Sequence, residues 1–279
     1  MLRTRVITAV MILLVLVGMI FFAPANAWSL FVLAVALAAC WEWSRLCGFA
    51  PVTQSAYLVL SGALGGAAWM LQVRAPEVLF RDVAMAVLVP AALFWVLIVP
   101  AWLRFKWRPQ APLAGAAGWL VVWPTWFAFV ALREAGPWVL LAIAAIVWIA
   151  DIAAYFSGRR FGRHKLAPAV SPGKTWEGVY GALVGVTLYG IVLACIARSV
   201  STPLSGIFAP LLGLPAIGAM LALTVLSVIG DLLESWMKRG AGRKDSSHLL
   251  PGHGGVLDRI DALTSTLPIA ALGLTWAAR

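Results

Sequence analysis

An all-α, polytopic membrane bundle is the fold class that this sequence predicts, on three observations. Hydrophobic residues make up 62% of the 279 and charged residues 11%, with a mean hydropathy of +0.94, a balance outside that of water-soluble domains. The apolar residues fall in runs near the ~20 that a helix needs to cross a bilayer. Lysine and arginine gather in alternate gaps between these runs, as they do where positive charge sets topology. The net charge of +10 is accounted for by that pattern, and no nucleic-acid partner is needed to explain it.

Nine segments qualify, at 6–22, 28–43, 56–73, 83–103, 114–132, 138–156, 178–197, 214–233 and 260–277. The first follows Arg3 and Arg5 and precedes Ala25-Asn26-Ala27, which imitates a signal-peptidase site. Its apolar run outlasts the usual ~7–15-residue signal core, so it is read as a retained helix. Glu42 interrupts the second segment, Gly62, Gly65 and Gly66 the third, and Asp261 with Pro268 the ninth, making these three the least regular. Gly62/Gly66 and Gly181/Gly185 have the small-xxx-small spacing of closely packed helices. Trp102, Trp107, Trp119, Trp123 and Trp138 lie near segment ends, where indoles anchor at the membrane interface. Cys40, Cys47 and Cys195 have neither metal nor redox spacing and read as packing residues. With no repeat and no soluble insertion, residues 1–279 are expected to form one transmembrane domain.

When the gaps are assigned to alternate sides, 16 of the 21 basic residues share a side with the N-terminus and with two polar loops, 157–177 and 236–259. The positive-inside rule makes these cytoplasmic and the C-terminus external. Most of the polar chemistry lies in 151–279. Asp151 sits near the cytoplasmic end of the sixth segment, where either a functional role or pairing with a following arginine explains a carboxylate. Beyond it come Arg159, Arg160, Arg163, His164 and Lys165, then Ser171-Pro172-Gly173-Lys174-Thr175-Trp176-Glu177-Gly178. Gly173-Lys174-Thr175 imitates the end of a P-loop, but Pro168 stands where that loop needs glycine. Ser171, Gly173 and Lys174 are instead expected to cap the seventh helix, whose free N–H groups favour an anion. Arg159 and Arg160 are placed to attract an anionic lipid.

The stretch 231–261 holds ten of the chain's 21 basic and 11 acidic residues taken together. Asp231, Ser235 and Lys238, at i, i+4 and i+7, share one stripe of a helix, while Asp258 and Asp261 share a face of the next. If those helices are neighbours, three carboxylates converge as hard oxygen donors suited to Mg2+. A second cation, such as K+, is compatible with the same acids. Between them, Pro251-Gly252-His253-Gly254-Gly255 cannot stay helical, and its glycines let backbone N–H groups approach a phosphate.

The order Ser235, Met237, Lys238, Arg239, Lys244-Asp245, Pro251, His253-Gly254-Gly255-Val256 and Asp258-Arg259-Ile260-Asp261 resembles the signature of the bacterial phosphatidate cytidylyltransferases, or CDP-diacylglycerol synthases. The 171–178 string is similar to the same family. So is Asp151 with Ala154-Tyr155-Phe156 and Gly158-Arg159, although Ile152 and Ala153 depart from the small polar pair common there. The resemblance covers the C-terminal half and implies an inner-membrane enzyme that joins CTP and phosphatidic acid into CDP-diacylglycerol and pyrophosphate.

On that reading Asp231, Asp258 and Asp261 hold the metal, Lys238 and Arg239 meet phosphate charge, and Ser235 orients a phosphate or water. Lys174, Ser171, Gly173, Lys244, Asp245, His253, Gly254, Gly255, Arg159 and Arg160 are the expected substrate contacts. The bilayer is a partner, and a homodimer is left open. A CTP-dependent lipid or polyprenol kinase shares this chemistry and differs in its products. A cation-coupled transporter would place its acids near the bilayer midplane in paired half-repeats, whereas these acids lie at helix ends and no repeat is visible.

Overall fold

Proline and glycine punctuate the chain where the apolar runs change direction, and the computed structural model follows that punctuation. It describes residues 2–199 and 214–277. Nine helices stand among the described residues: α1 (Leu2–Phe21), α2 (Ala25–Leu46), α3 (Pro51–Arg74), α4 (Glu77–Phe105), α5 (Ala111–Ala135), α6 (Pro137–Phe161), α7 (Trp176–Ser199), α8 (Leu214–Gly240) and α9 (Leu257–Ala277). Pro51 and Pro137 open α3 and α6 at a position where no intrahelical N–H is required. Gly136, at φ 147°, takes a backbone conformation closed to side chains and turns α5 directly into α6. Within α4 the ladder widens to a π turn over Phe94–Ile98, flanked by Pro90 and Pro100, each of which lacks a backbone donor.

Seven of these helices, α2 to α8, are long and apolar enough to span a membrane. The apolar part of α1 is shorter, Val6–Phe21, and α9 opens with Asp258, Arg259 and Asp261. Successive helices alternate in direction. At one end Arg133 of α5 donates to Ile20 O at 3.1 Å and also to Ala23 O. At the other, Trp43 Nε1 donates to Ala114 O at 2.8 Å and Trp236 Nε1 to Trp107 O at 3.1 Å. The segments after α2, α4, α6 and α8 therefore meet at one end of the bundle.

The core forms around α5, 72% of whose apolar window is buried by its neighbours. Trp28, Trp43, Trp95 and Trp126 are fully buried there. Trp107 and Trp138 are exposed at helix ends, as anchoring requires, but Trp102 is buried because neighbouring helices cover that end before lipid can, and Trp123 falls at mid-length of α5, in the core and not at an end. The α6–α7 seam is close. A Cβ on Gly181 would overlap Ser157 Oγ, and one on Gly185 would lie 2.7 Å from Ala153 Cβ, so this small-xxx-small pair packs as expected. The other pair does not: Gly62 and Gly66 face open space, and Gly65 instead meets Leu33 and Trp123.

The fold is not wholly helical. Lys165–Ala167 (β1) and Ser171–Thr175 (β2) pair antiparallel between α6 and α7. The expectation that Ser171, Gly173 and Lys174 cap α7 is thereby corrected. Pro172 disfavours helix in the residue before it, the strand carries all three residues, and Thr175 Oγ1 performs the capping by accepting from Gly178 N at 3.1 Å.

Candidate active site

The hairpin hangs over the end of the bundle because α7 binds it back. Glu177, in the first turn of α7, accepts from His164 N at 3.2 Å and meets His164 Nδ1 at 2.7 Å, while Trp176 N donates to His164 O at 3.0 Å. Glu177 therefore fixes the hairpin. Beneath lies a cavity of about 440 Å³ walled by α6, β2, α7 and α8, with Asp151, Arg159, Ser171, Gly173, Lys174 and Asp231 among its polar lining. Arg159 is steadied by a 2.9 Å bond to Tyr155 Oη. Lys174 Nζ lies 2.5 Å from Asp231 Oδ2. That pair joins the two polar stretches across the cavity wall.

From Asp231 the polar contacts pass down α8. Ser235 Oγ donates to Asp231 Oδ1 at 3.2 Å, so the expected helical stripe forms. Lys238 Nζ stands between Glu234 Oε2 at 2.5 Å and Asp258 Oδ1 at 2.6 Å. Asp261, half-buried beside them, is near enough to feel the charges of Asp231, Lys238 and Lys174. The carboxylates thus pair with the two lysines, while the neighbouring arginines seek carbonyls: Arg239 reaches Val170 O and Arg243 O, and Arg259 reaches His253 O.

The expected triad is only partly assembled. Asp231 and Asp261 are neighbours electrostatically, but Asp258 is taken up by other groups. Its Oδ2 accepts from Gly255 N at 2.7 Å and from Ser246 N and Ser246 Oγ at 2.9 Å, while Oδ1 faces Lys238. Among the described residues no three His, Cys, Asp or Glu side chains surround a single metal position. The glycine loop is likewise turned inward. Gly254 sits at φ +78°, and a Cβ there would come 2.7 Å from Asp258 Oδ2. Gly255 gives its N–H to Asp258 and His253 its N–H to Leu250 O, so these donors do not face an open phosphate site. Lys244 and Asp245 are exposed at the loop centre, and Arg160 lies at the end of α6 with its guanidinium over Phe161.

The donor set suits a hard cation. Glu234 is 3% exposed, its Oε1 has no hydrogen-bond partner among the described residues, and it senses Asp261. A buried carboxylate oxygen with nothing to accept calls for positive charge. Glu234 was not singled out in the sequence, although it lies between Asp231 and Lys238 on the same helix. Glu42 is the larger omission. Fully buried on α2, it accepts from Ser246, Ser247, Val256 and Leu257. A carboxylate inside an apolar segment was the available signal, the same one that drew attention to Asp151.

The model of the Cytidylyltransferase family matches residues 3–276. The chain belongs to that family. Among its relatives, the phosphatidate cytidylyltransferase of Pseudomonas aeruginosa is 39% identical over 293 residues, spanning 100% of this chain and 98% of its own length. That of Brucella suis is 34% identical over 274 residues, 97% of this chain and 92% of its own. That of Thermotoga maritima is 36% identical over 138 residues, about half of each chain. Since the family match runs from α1 to α9, the N-terminal helices of this cytidylyltransferase family member belong to the enzyme architecture as much as the signature does.

Proposed function

We propose that this protein transfers the cytidylyl group of CTP to phosphatidic acid, giving CDP-diacylglycerol and pyrophosphate for phospholipid synthesis. The Lys174–Asp231 pair carries the reading, because it brings the 171–178 and 231–261 stretches together on one cavity of about 440 Å³ at the end of an apolar bundle. A phosphatidate oxygen attacks the α-phosphorus of CTP, the bond to the bridging oxygen of pyrophosphate breaks, and that oxygen leaves with the electron pair. No protein nucleophile is consumed. Such a reaction depends on positioning and on charge stabilisation around the phosphoryl oxygens.

Asp231 and Asp261 would hold Mg2+, joined by Asp258 Oδ1 once Lys238 turns from it to phosphate. When bound, the cation supplies Lewis-acid neutralisation of phosphate charge. A second cation such as K+ fits the remaining acids. Lys174 and Lys238 present ammonium groups to the phosphates, Arg239 adds charge at the end of α8, and Ser235 orients a phosphate or water. Ser171 and Gly173 line the cavity for substrate. Lys244 and Asp245 reach the nucleotide from the exposed loop, and His253, Gly254 and Gly255 shape that loop around it. Arg159 and Arg160 draw the lipid headgroup. In this reading the cavity faces the cytoplasm of a bacterial inner membrane, nine helices cross it, and two chains associating as a homodimer are compatible with it.

The test is to incubate the purified protein with phosphatidic acid, radiolabelled CTP and Mg2+. Labelled liponucleotide with release of pyrophosphate is the expected outcome. CDP together with a newly phosphorylated lipid would assign the chain to a lipid kinase reaction instead.

A further inference from the structure

Glu42 lies on α2, outside both polar stretches, and does not line the cavity, yet every hydrogen-bond donor that reaches it comes from residues 246–257. Its Oε1 accepts from Ser247 Oγ at 2.6 Å and Val256 N at 2.9 Å, and its Oε2 from Leu257 N at 2.7 Å and Ser246 Oγ at 3.0 Å. At 0% exposure a carboxylate is tolerated only when its oxygens are well supplied with donors. Two of these donors are backbone N–H groups at the start of α9, which the helix itself leaves without acceptors and which form its positive end. The fit is tight: a Cβ on Gly255 would overlap both Ser246 Oγ and Glu42 Oε1. Ser246 Oγ also lies 2.9 Å from Asp258 Oδ2. One hydroxyl, whose single proton the two carboxylates share, therefore lies between Glu42 and a carboxylate of the proposed site.

We infer that Glu42 is a positioning residue, a buried anionic clamp by which α2 holds the 246–257 loop and Asp258 in the geometry that cytidylyl transfer uses. The inference rests on the reading that Asp258 and this loop belong to the active site. A carboxylate is required for a specific reason. Serine hydroxyls can rotate, but the N–H groups of Val256 and Leu257 cannot, and they point at different oxygens. Glutamine presents an acceptor to one of them and an N–H to the other. Aspartate is one methylene too short to reach both.

The experiment uses the full-length protein in detergent and follows hydrogen–deuterium exchange of the 246–257 peptide beside CTP turnover. Glu42→Gln and Glu42→Ala should speed exchange in that peptide by about tenfold or more, the scale of a lost buried charged hydrogen bond. They should lower kcat by a similar factor with KM for CTP changed less. Trp43→Phe is the control for damage to α2 alone: it removes the bond to Ala114 O and should lower Tm while leaving 246–257 exchange unaltered. Should Glu42→Ala fail to accumulate, Ser247→Ala removes one of the four donors and should raise exchange in the same peptide to a smaller extent. Unchanged exchange in Glu42→Gln and Ser247→Ala would overturn the clamp. Faster exchange with normal turnover would overturn the positioning role and take the loop out of the reaction. Asp231→Asn, which touches nothing in the clamp, tests the reading of the site separately.

Discussion

At the scale of single residues, the three aspartates near the cavity are held in different ways, and their substitutions should separate accordingly. Asp231 is bound by Lys174 and Ser235, and Asp261 has one backbone donor, Ala262 N at 2.8 Å. Asn at either position keeps shape and removes the charge that a hard cation needs. Turnover should then fall by roughly 100-fold or more with Tm little changed. Asp258 differs because its Oδ2 gathers three loop donors, so Asp258→Asn should also cost about 1–3 kcal/mol of stability. Turnover, Mg2+ titration and thermal unfolding of the three variants side by side provide the measurement. Stable proteins with near-normal turnover in all three would remove the metal assignment. Lys174→Ala should weaken use of CTP or phosphatidic acid by about tenfold to 100-fold while the bundle stays folded, since a partly exposed ion pair contributes little to stability. Unchanged kinetics would leave Lys174 as a determinant of topology. The spacing in the sequence was enough to find Asp231, Ser235 and Lys238, because i, i+4 and i+7 define a helical stripe wherever the helix packs. Nothing in that spacing could name Glu42, whose donors lie more than 200 residues away.

At the scale of elements, the α6–α7 seam and the hairpin behind it set the cavity wall. Gly181→Leu should overpack that seam against Ser157 and lower stability by about 1–3 kcal/mol. Gly62→Leu, facing open space, should change it by no more than about 0.5 kcal/mol. Thermal unfolding in detergent compares the two, and equal effects would mean that the seam is not a close contact. Small-xxx-small spacing alone identified both pairs but could not tell which faced a neighbour, since that depends on helix rotation in the bundle. The hairpin was missed for a related reason. A three-residue and a five-residue strand leave almost no periodicity, and the glycine–lysine–threonine run draws attention to helix capping. What makes the strands pair is the anchorage of His164 by Glu177, a contact between residues 13 apart.

At the scale of the whole molecule, the polar loops meet at one end because successive helices alternate in direction. Reporters fused after Trp107, Arg163 and Gly242 should read cytoplasmic, and one at residue 279, which lies outside the described residues, should read external. A cytoplasmic C-terminus would mean that α1 or α9, the two helices short of the membrane-spanning length or hydropathy reached by the other seven, does not cross. Composition alone determined that the chain is a membrane bundle, because 62% hydrophobic residues in runs of helical length have no aqueous solution. The sequence also determined the family and pointed to most of the polar residues of the candidate site, since a long string of charged and glycine positions survives being read in one dimension. Only the tertiary structure decided which carboxylates face a cavity and which hold a loop. Desolvation forces each acid to find donors, and those donors come from whichever segment folding brings alongside: residues 246–257 for Glu42, α8 and the same loop for Asp258, and the hairpin for Asp231.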